Sequence, residues 1–575
     1  MTRLQPVYDI AQLCSLKGLS QAIVCPGSRC APLTLAFVNH PSFNTRTISD
    51  ERSAAFIATG IAQQTSTPVV LVCTSGSAAY NFAPAVAEAY YQRIPLIILT
   101  ADRPTEWIDQ WDGQTIRQEG LYGQHVKKSF QLPEAERHVD ASWHINRIVN
   151  EAVNLSKDFP CGPVHINVPL REPLYLQKNE SIKFSESNRV IERMETRTFF
   201  SEERAKQLIA DWNGFSKIVV LAGQDNYNDR LAKVLERFIR HQKVALVGDV
   251  ISNVHSIADA IRYADSFLGQ CPDSVKRALQ PDLLVTFGKS VISKNLKLFL
   301  RQNKSLNHWH IQPKGDVPDT FQSLNTVIES EPEAFFELLM NTKSASEFEL
   351  IKRQNFYTLW EAEEHRTKRA VGQFFEKSEL HELSLLQEII TQLPSRCNIH
   401  LANSMSVRYA NFIGLEAGKK GIRVFANRGT SGIDGCTSTA VGHALSSEVP
   451  NFLITGDVAF FYDRNAFWHN YELPNFRAVI LNNHGGIIFN LIDGPENAPE
   501  RQEFFITNQK LTAKNLCGEF GFGYLKIESG RQVKNALIDF FTFDGKTKIL
   551  ELEGTQEVNK NAFEKLKKHI KSTYQ

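Results

Sequence analysis

The feature that most constrains this chain is a repeated rhythm. A short apolar run is halted by a cluster of glycine and polar residues, and a segment with helical spacing follows. It is clearest between 451 and 492, where Phe452-Leu453-Ile454 stops at Gly456-Asp457. Phe460, Phe461, Phe467 and Trp468 then fall near helical spacing, and a second run, Ala478 to Leu481, is halted by Asn482-Asn483-His484-Gly485-Gly486. Two apolar runs flanking a helical pattern predict a βαβ unit with parallel strands. In such a unit Asp457 and Asn483 lie just past the carboxyl ends of strands, where open α/β sheets bind ligands.

The same rhythm runs through the chain. Strands are expected at 21–25, 45–48, 69–73, 96–100, 164–168, 218–222, 244–247, 283–287, 398–401, 424–425 and 548–552, with 516–527 completing the last sheet. Strands alternating with helices imply α/β architecture with parallel sheets. At 575 residues the chain is too long for one core. The expectation is three doubly wound parallel-sheet domains, at 1–180, 195–340 and 375–575. A polar stretch from Gln177 to Ser187 and a charged helix from Glu347 to Lys377 read as connections.

Asp457 and Asn483 have a specific chemistry. A carboxylate and a carboxamide oxygen, joined by a carbonyl of the glycine turn, form a half-shell of hard oxygen ligands. Mg²⁺ is suited by such a shell, since it takes its remaining ligands from phosphates and water. Neighbouring glycines let backbone N–H groups approach a phosphate closely. A helix-capping aspartate followed by an Asn-Asn-His-Gly turn explains the same residues. Taken alone, the stretch leaves both readings open.

Composition excludes several classes. The formal charge of +1 gives no sign of a nucleic-acid partner. Nine scattered cysteines without a C-x-x-C pair suggest reduced thiols and a cytoplasmic protein. No apolar run reaches the length of a membrane span. Gly288-Lys289-Ser290 and Gly545-Lys546-Thr547 look like the tails of phosphate loops, but Leu283 and Phe540 stand where such a loop needs glycine. The pair His308 and His310 fits one face of a strand and lacks further metal ligands.

Gly456-Asp457, followed some two dozen residues later by Asn482-Asn483, resembles the signature of thiamine diphosphate-dependent enzymes. The resemblance implies the three-domain fold of that family, with a pyrimidine-binding, a central and a diphosphate-binding domain. It implies that Asp457, Asn483 and the carbonyl of Gly485 hold Mg²⁺ (or Mn²⁺). Gly456, Val458, Ala459 and Gly486 would line the diphosphate, and Ile433 would wedge the cofactor into a bent form. It also gives a role to Glu51, in Asp50-Glu51-Arg52 at a strand end, as the carboxylate that contacts N1′ of the aminopyrimidine. By itself Glu51 reads more readily as a surface partner of Arg52.

Further motifs narrow the resemblance: Pro26-Gly27-Ser28-Arg29, Asp50-Glu51-Arg52, Thr100 to Pro104, Asn427 to Gly435 and Gly456 to Ala466. Together they are similar to the branch of the family that decarboxylates 2-oxoglutarate and adds the resulting succinyl unit to isochorismate in menaquinone biosynthesis. Other thiamine diphosphate-dependent 2-oxo acid decarboxylases and a non-catalytic homologue are the alternatives. Both substrates of the branch are dianions, so arginines should gather at the site. Arg29, Arg103, Arg408 and Arg428 all stand at expected strand ends. The resemblance adds Ser28, Gln114, Lys294, Ser404 and Phe489. It implies a homodimer or a dimer of dimers, with the first domain of one subunit facing the third of another. Cys30 and Ala31 after the Pro-Gly-Ser-Arg motif, and Ile487, depart from the branch's usual residues.

Overall fold

The computed structural model describes residues 4–134, 138–176, 181–194, 200–340, 346–415, 421–491 and 498–575. They form three sheets of parallel strands. The first has β1 (Gln21–Val24), β2 (Asn44–Thr47), β3 (Val69–Cys73), β4 (Leu96–Asp102), β5 (Ser129–Gln131) and β6 (Pro163–Pro169), in the order β2-β1-β3-β4-β6-β5. The second has β7 (Ile218–Ala222), β8 (Ala245–Gly248), β9 (Leu283–Phe287), β10 (Asn307–Gln312) and β11 (Thr326–Glu329), in the order β11-β10-β9-β7-β8. In the third, β12 (Cys397–Leu401), β13 (Ile422–Phe425), β14 (Asn451–Gly456), β15 (Phe476–Asn482), β16 (Gly523–Ile527) and β17 (Lys548–Glu553) run β13-β12-β14-β15-β17-β16.

Central strands are buried along their whole length because helices cover both faces of a parallel sheet. Every residue of β3, β4, β6, β7 and β9 is buried. Two expectations need correction. The segment 516–527 is not strand throughout: a helix, Lys514–Phe520, precedes β16. β4 runs two residues beyond its expected end, through Ala101 and Asp102, both of which pair with β6. The edge strands β5 and β11 were not anticipated; three or four residues are too few for an alternating pattern to stand out.

The residues divide into two compact units. One is Met1–Glu195 with Asn427–Glu448 and Ala459–Phe476; the other is Thr196–Ala426 with Val449–Val458 and Arg477–Gln575. Within the first unit, the helix Glu51–Thr65 crosses the helix Cys436–Ala444 at backbone distance. A Cβ on Gly60 would lie 2.1 Å from the Thr439 carbonyl oxygen, and one on Gly442 would lie 2.2 Å from that of Ile57. Only glycines allow this approach. The polar stretch at 181–194 is held against the first unit's helices. Asn150 donates to the Arg189 carbonyl and accepts from the Ile191 N–H, and Asp9 accepts from Ser185.

In the second unit the charged helix Glu347–Glu376 docks through a buried arginine. Arg353 donates to the carbonyls of Trp212 and Phe215 and to Gln242, and burial lowers its guanidinium to about 10. His308 and His310 both hydrogen-bond Thr286, which explains their shared face without a metal.

Each sheet changes winding direction beside its first strand, which is where such sheets open a crevice at the strand carboxyl ends. In the first sheet that point lies between β1 and β3, and in the third between β12 and β14. In the middle sheet it lies between β7 and β9. Gly223, past β7, packs so tightly on the loop past β9 that a Cβ would lie 2.2 Å from the Lys289 carbonyl oxygen; the Gln224 N–H donates there to the Ser290 carbonyl, and the Gln224 carbonyl accepts from the Lys289 N–H.

Candidate active site

In the first unit, the turn after β1 brings Ser28 to the surface and buries Arg29. Gly27 makes this possible, since a Cβ there would fall 2.3 Å from that of Thr74 past β3. Arg29 donates to the Leu170 carbonyl at 2.9 Å and pairs with Glu172 at 3.2 Å. Arg103, past β4, lies 3.9 Å from the same Glu172 oxygen, 3.5 Å from Asp112, and donates to the Gly113 carbonyl. Two expected arginines thus converge on one carboxylate that is itself 72% exposed. The next residue but one to Asp112 is Gln114, exposed and in the left-handed region with φ 57°. It sits beside Gly76, whose Cβ would lie 3.4 Å from the Gln114 Cα.

Glu51 is the first residue of its helix and is half-buried. Asp50 caps that helix by accepting from the Ser53 N–H, and its other oxygen accepts from Asn465. Arg52 donates to the Tyr462 carbonyl. Arg52 also lies 4.0 Å from Asp463, and among the described residues Glu51 and Arg52 form no ion pair. Glu51 lies over the ends of β1 and β3: burial chiefly, with neighbouring cysteines and the Glu51 charge, pushes the thiols of Cys25 and Cys73 well up. The loop between Asn427 and Gly435 belongs to the same unit and carries Arg428 and Ile433, both half-buried. Ala459, buried, also falls in this unit.

In the second unit, Gly456 ends β14 with open space on its Cβ side, and Asp457 begins a short helix that continues through Val458. Asp457 is 1% exposed, and burial pushes its carboxyl up to about 6 against a 2.6 Å hydrogen bond from Gln509. Asn483 follows β15, the neighbour of β14 in the sheet. Its Nδ2 donates to Glu382 Oε1 at 2.7 Å, and its Oδ1, buried, has no hydrogen-bond partner among the described residues. Glu382 is itself buried and raised to about 7, mainly by burial, with the Asp457 charge adding to it. Past Asn483 the backbone turns on Gly485, where a Cβ would meet the Ile506 carbonyl oxygen at 2.8 Å, and Gly486, whose N–H donates to the same oxygen. Phe489 stands next to Gly486 and against Phe505.

These residues fit a hard cation. An unpartnered buried amide oxygen costs about 1–3 kcal/mol, and a buried carboxylate resists ionisation. A divalent ion between Asp457 and Asn483 would relieve both penalties. Among the described residues, no group of three or more His, Cys, Asp and Glu side chains is arranged to hold a metal. The fit therefore depends on one carboxylate, one amide and backbone oxygen, the sparse set that Mg²⁺ prefers.

Ser404 and Arg408 meet on the helix Met405–Ile413, where Arg408 donates to the Ser404 carbonyl at 2.5 Å. Ser404 adopts φ 72°, a strained conformation for a residue with a side chain. Lys294, exposed, begins the helix Lys294–Gln302 and is tied to this helix through its neighbour: Asn411 donates to Ser293 Oγ at 3.3 Å. Buried Asp249 holds the same turn by accepting from the Ile292 and Ser293 N–H groups.

Sequence reasoning did not find Glu382, Gln509 or Glu172. None lies in a motif, and each acquires its place only through a partner far along the chain. None of the nine cysteines is joined in a disulfide, and no described helix is long and apolar enough to cross a membrane.

The chain matches two family models: "Thiamine pyrophosphate enzyme, N-terminal TPP binding domain" over residues 8–125, and "Middle domain of thiamine pyrophosphate" over residues 193–401. It is similar to the 2-succinyl-5-enolpyruvyl-6-hydroxy-3-cyclohexene-1-carboxylate synthase of Cytophaga hutchinsonii, with 44% identity over 99% of this chain and 100% of the relative. The synthases of the same name from Flavobacterium johnsoniae (38%, 90% of each chain) and Bacteroides fragilis (36%, 97% of each chain) are also similar.

Proposed function

Because the chain belongs to the family of 2-succinyl-5-enolpyruvyl-6-hydroxy-3-cyclohexene-1-carboxylate synthases, thiamine diphosphate-dependent enzymes, we propose that it decarboxylates 2-oxoglutarate and adds the succinyl unit to isochorismate. This is a transferase reaction of menaquinone biosynthesis. The observation that carries the site assignment is the buried pair of Asp457 and Asn483 at adjacent strand ends, with the Asn483 oxygen left without a hydrogen-bond partner among the described residues.

In this reading Asp457, Asn483 and the Gly485 carbonyl hold Mg²⁺ (or Mn²⁺), and Gly456, Val458, Ala459 and Gly486 lie along the diphosphate. Thiamine diphosphate, when bound, supplies the electron sink into which a 2-oxo acid loses CO₂. Glu51 holds a proton at N1′ of the aminopyrimidine, and Ile433 supports the ring system. Arg29, Arg103, Arg408 and Arg428 bind the carboxylates of the two dianions, and Lys294 adds a further charge. Ser28, Gln114 and Ser404 offer polar contacts, and Phe489 an apolar wall. Glu172, largely exposed, keeps Arg29 and Arg103 aligned and yields to a substrate carboxylate, because an exposed ion pair is worth little. The site's ligands are small molecules, and a homodimer or dimer of dimers in the cytoplasm is the proposed state. Nine cysteines with no disulfide among them support the compartment.

The test is CO₂ release from 2-oxoglutarate with and without isochorismate, thiamine diphosphate and Mg²⁺, with pyruvate as a control. Product formation that needs all four components is the expected result. Equal turnover of pyruvate would overturn the substrate assignment, and light scattering measures the oligomer.

A further inference from the structure

The loop from Asn427 to Gly435 has no regular secondary structure, yet it must hold Arg428 and Ile433 in place. Its backbone groups therefore need partners from elsewhere. One buried carboxylate supplies them. Glu88, on the helix Ala83–Gln92, is 1% exposed. Its Oε1 accepts from the Gly429 N–H at 2.9 Å and from Gln92 Nε2 at 2.7 Å. Its Oε2 accepts from both the N–H and the hydroxyl of Thr430 at 2.6 Å. Two oxygens thus serve four donors, which is the capacity of an ionised carboxylate and twice that of an amide oxygen.

The loop's own sequence is shaped to this contact. A Cβ on Gly429 would lie 2.8 Å from the Glu88 carbonyl oxygen and 3.1 Å from its Cδ. Asn427 is fixed separately, donating to Thr439 Oγ1 at 3.0 Å, and Gly435 lies flat on Phe56, whose ring a Cβ would meet at 2.2 Å. Arg428 thus sits between two pinned neighbours, and Ser431 to Asp434 span the interval to the third pin.

We propose that Glu88 is a positioning residue for the reaction: by clamping Gly429 and Thr430 it sets the direction of Arg428 toward a substrate carboxylate. This rests on the reading of Arg428 as a substrate ligand. Glu88 touches neither substrate nor cofactor; it acts through the loop.

The experiment is steady-state kinetics at saturating thiamine diphosphate and Mg²⁺, with each substrate varied in turn, beside thermal melting. Glu88→Gln keeps the shape but turns an NH₂ group toward donors it cannot accept from. The KM of one dianionic substrate should rise roughly tenfold to hundredfold, the range that an unpaired buried donor represents, while the other KM changes little. Thr430→Val removes only the hydroxyl and leaves Oε2 bonded to the backbone N–H, so both KM values should stay within about threefold. Arg428→Ala separates the two claims. If it leaves both KM values unchanged, the reading of Arg428 fails; if it raises one and Glu88→Gln does not, the clamp fails. A purely structural role would lower the melting temperature and the active fraction without moving KM, and that result also overturns the proposal. Should Glu88→Gln not fold, Glu88→Asp, with both acceptors on a shorter arm, is judged by the same KM criterion.

Discussion

Glu382 Oε1 accepts a 2.7 Å hydrogen bond from Asn483 Nδ2, and this bond decides which end of the Asn483 amide faces the site. A carboxamide can turn over and present either oxygen or nitrogen. With the nitrogen held by Glu382, the oxygen is the end left without a hydrogen-bond partner among the described residues. Glu382 reaches this place from a sequence distance of 101 residues, capped into its helix by His381 and held by Asn559, which accepts from its N–H.

Removing that acceptor should cost metal binding rather than folding. Glu382→Leu frees the amide and should weaken Mg²⁺·thiamine diphosphate binding roughly tenfold to hundredfold, as losses around metal ligands do. Glu382→Gln still offers an oxygen and should stay within a few-fold of the wild type. Calorimetric titration of the cofactor into the apo protein reads this directly. Equal affinity in all three proteins would show that Asn483 needs no such guide.

Glu51 can be tested apart from stability because Asp50, not Glu51, caps the helix. Glu51→Gln removes only a first-turn charge, worth about 0.3–1 kcal/mol. The cofactor should bind with near wild-type affinity while kcat falls by about 10²–10⁴, the scale of lost acid–base participation. A variant that turns over at the wild-type rate would return Glu51 to the surface.

The crossing of the two helices at Gly60 predicts an inverted helix propensity. Gly→Ala inside a helix ordinarily stabilises by about 1 kcal/mol. At Gly60 the new methyl would meet the Thr439 carbonyl at 2.1 Å, and neither backbone can move aside cheaply. Gly60→Ala should therefore destabilise by roughly 3 kcal/mol in urea unfolding. Neutral or increased stability would mean that the helices do not pack this closely.

Asp463 gives the protein a pH dependence of definite sign. It is fully buried, accepts from the N–H and hydroxyl of Ser438, and burial pushes its carboxyl up to about 7. Between the ordinary carboxylate range near 4 and this value, the folded chain binds more protons than the unfolded one. Its contribution to stability is thus full below about pH 4 and declines as pH rises toward 7, by roughly 4 kcal/mol at most. Asp463→Asn keeps a neutral partner for Ser438, whose hydroxyl can reverse its role. The variant should gain stability relative to wild type as pH goes from 5 to 8. A difference that is flat across that range, or that moves the other way, would show that Asp463 stays ionised.

What the sequence determined by itself is what short stretches of chain encode. The apolar runs marked the inner strands, because a parallel sheet covered on both faces buries every position along them and favours apolar residues there. The turns that halt those runs placed Asp457 after β14 and Asn483 after β15, and the motif set led to the family. The tertiary structure decided which solitary carboxylates matter. Glu88 lies 341 residues from Gly429, Glu172 lies 143 from Arg29, and Glu382 lies 101 from Asn483. Each is an unremarkable acid on its own helix or loop. Hydrogen bonds are made at about 3 Å in space, and no local pattern records where in a long chain the second partner will be found.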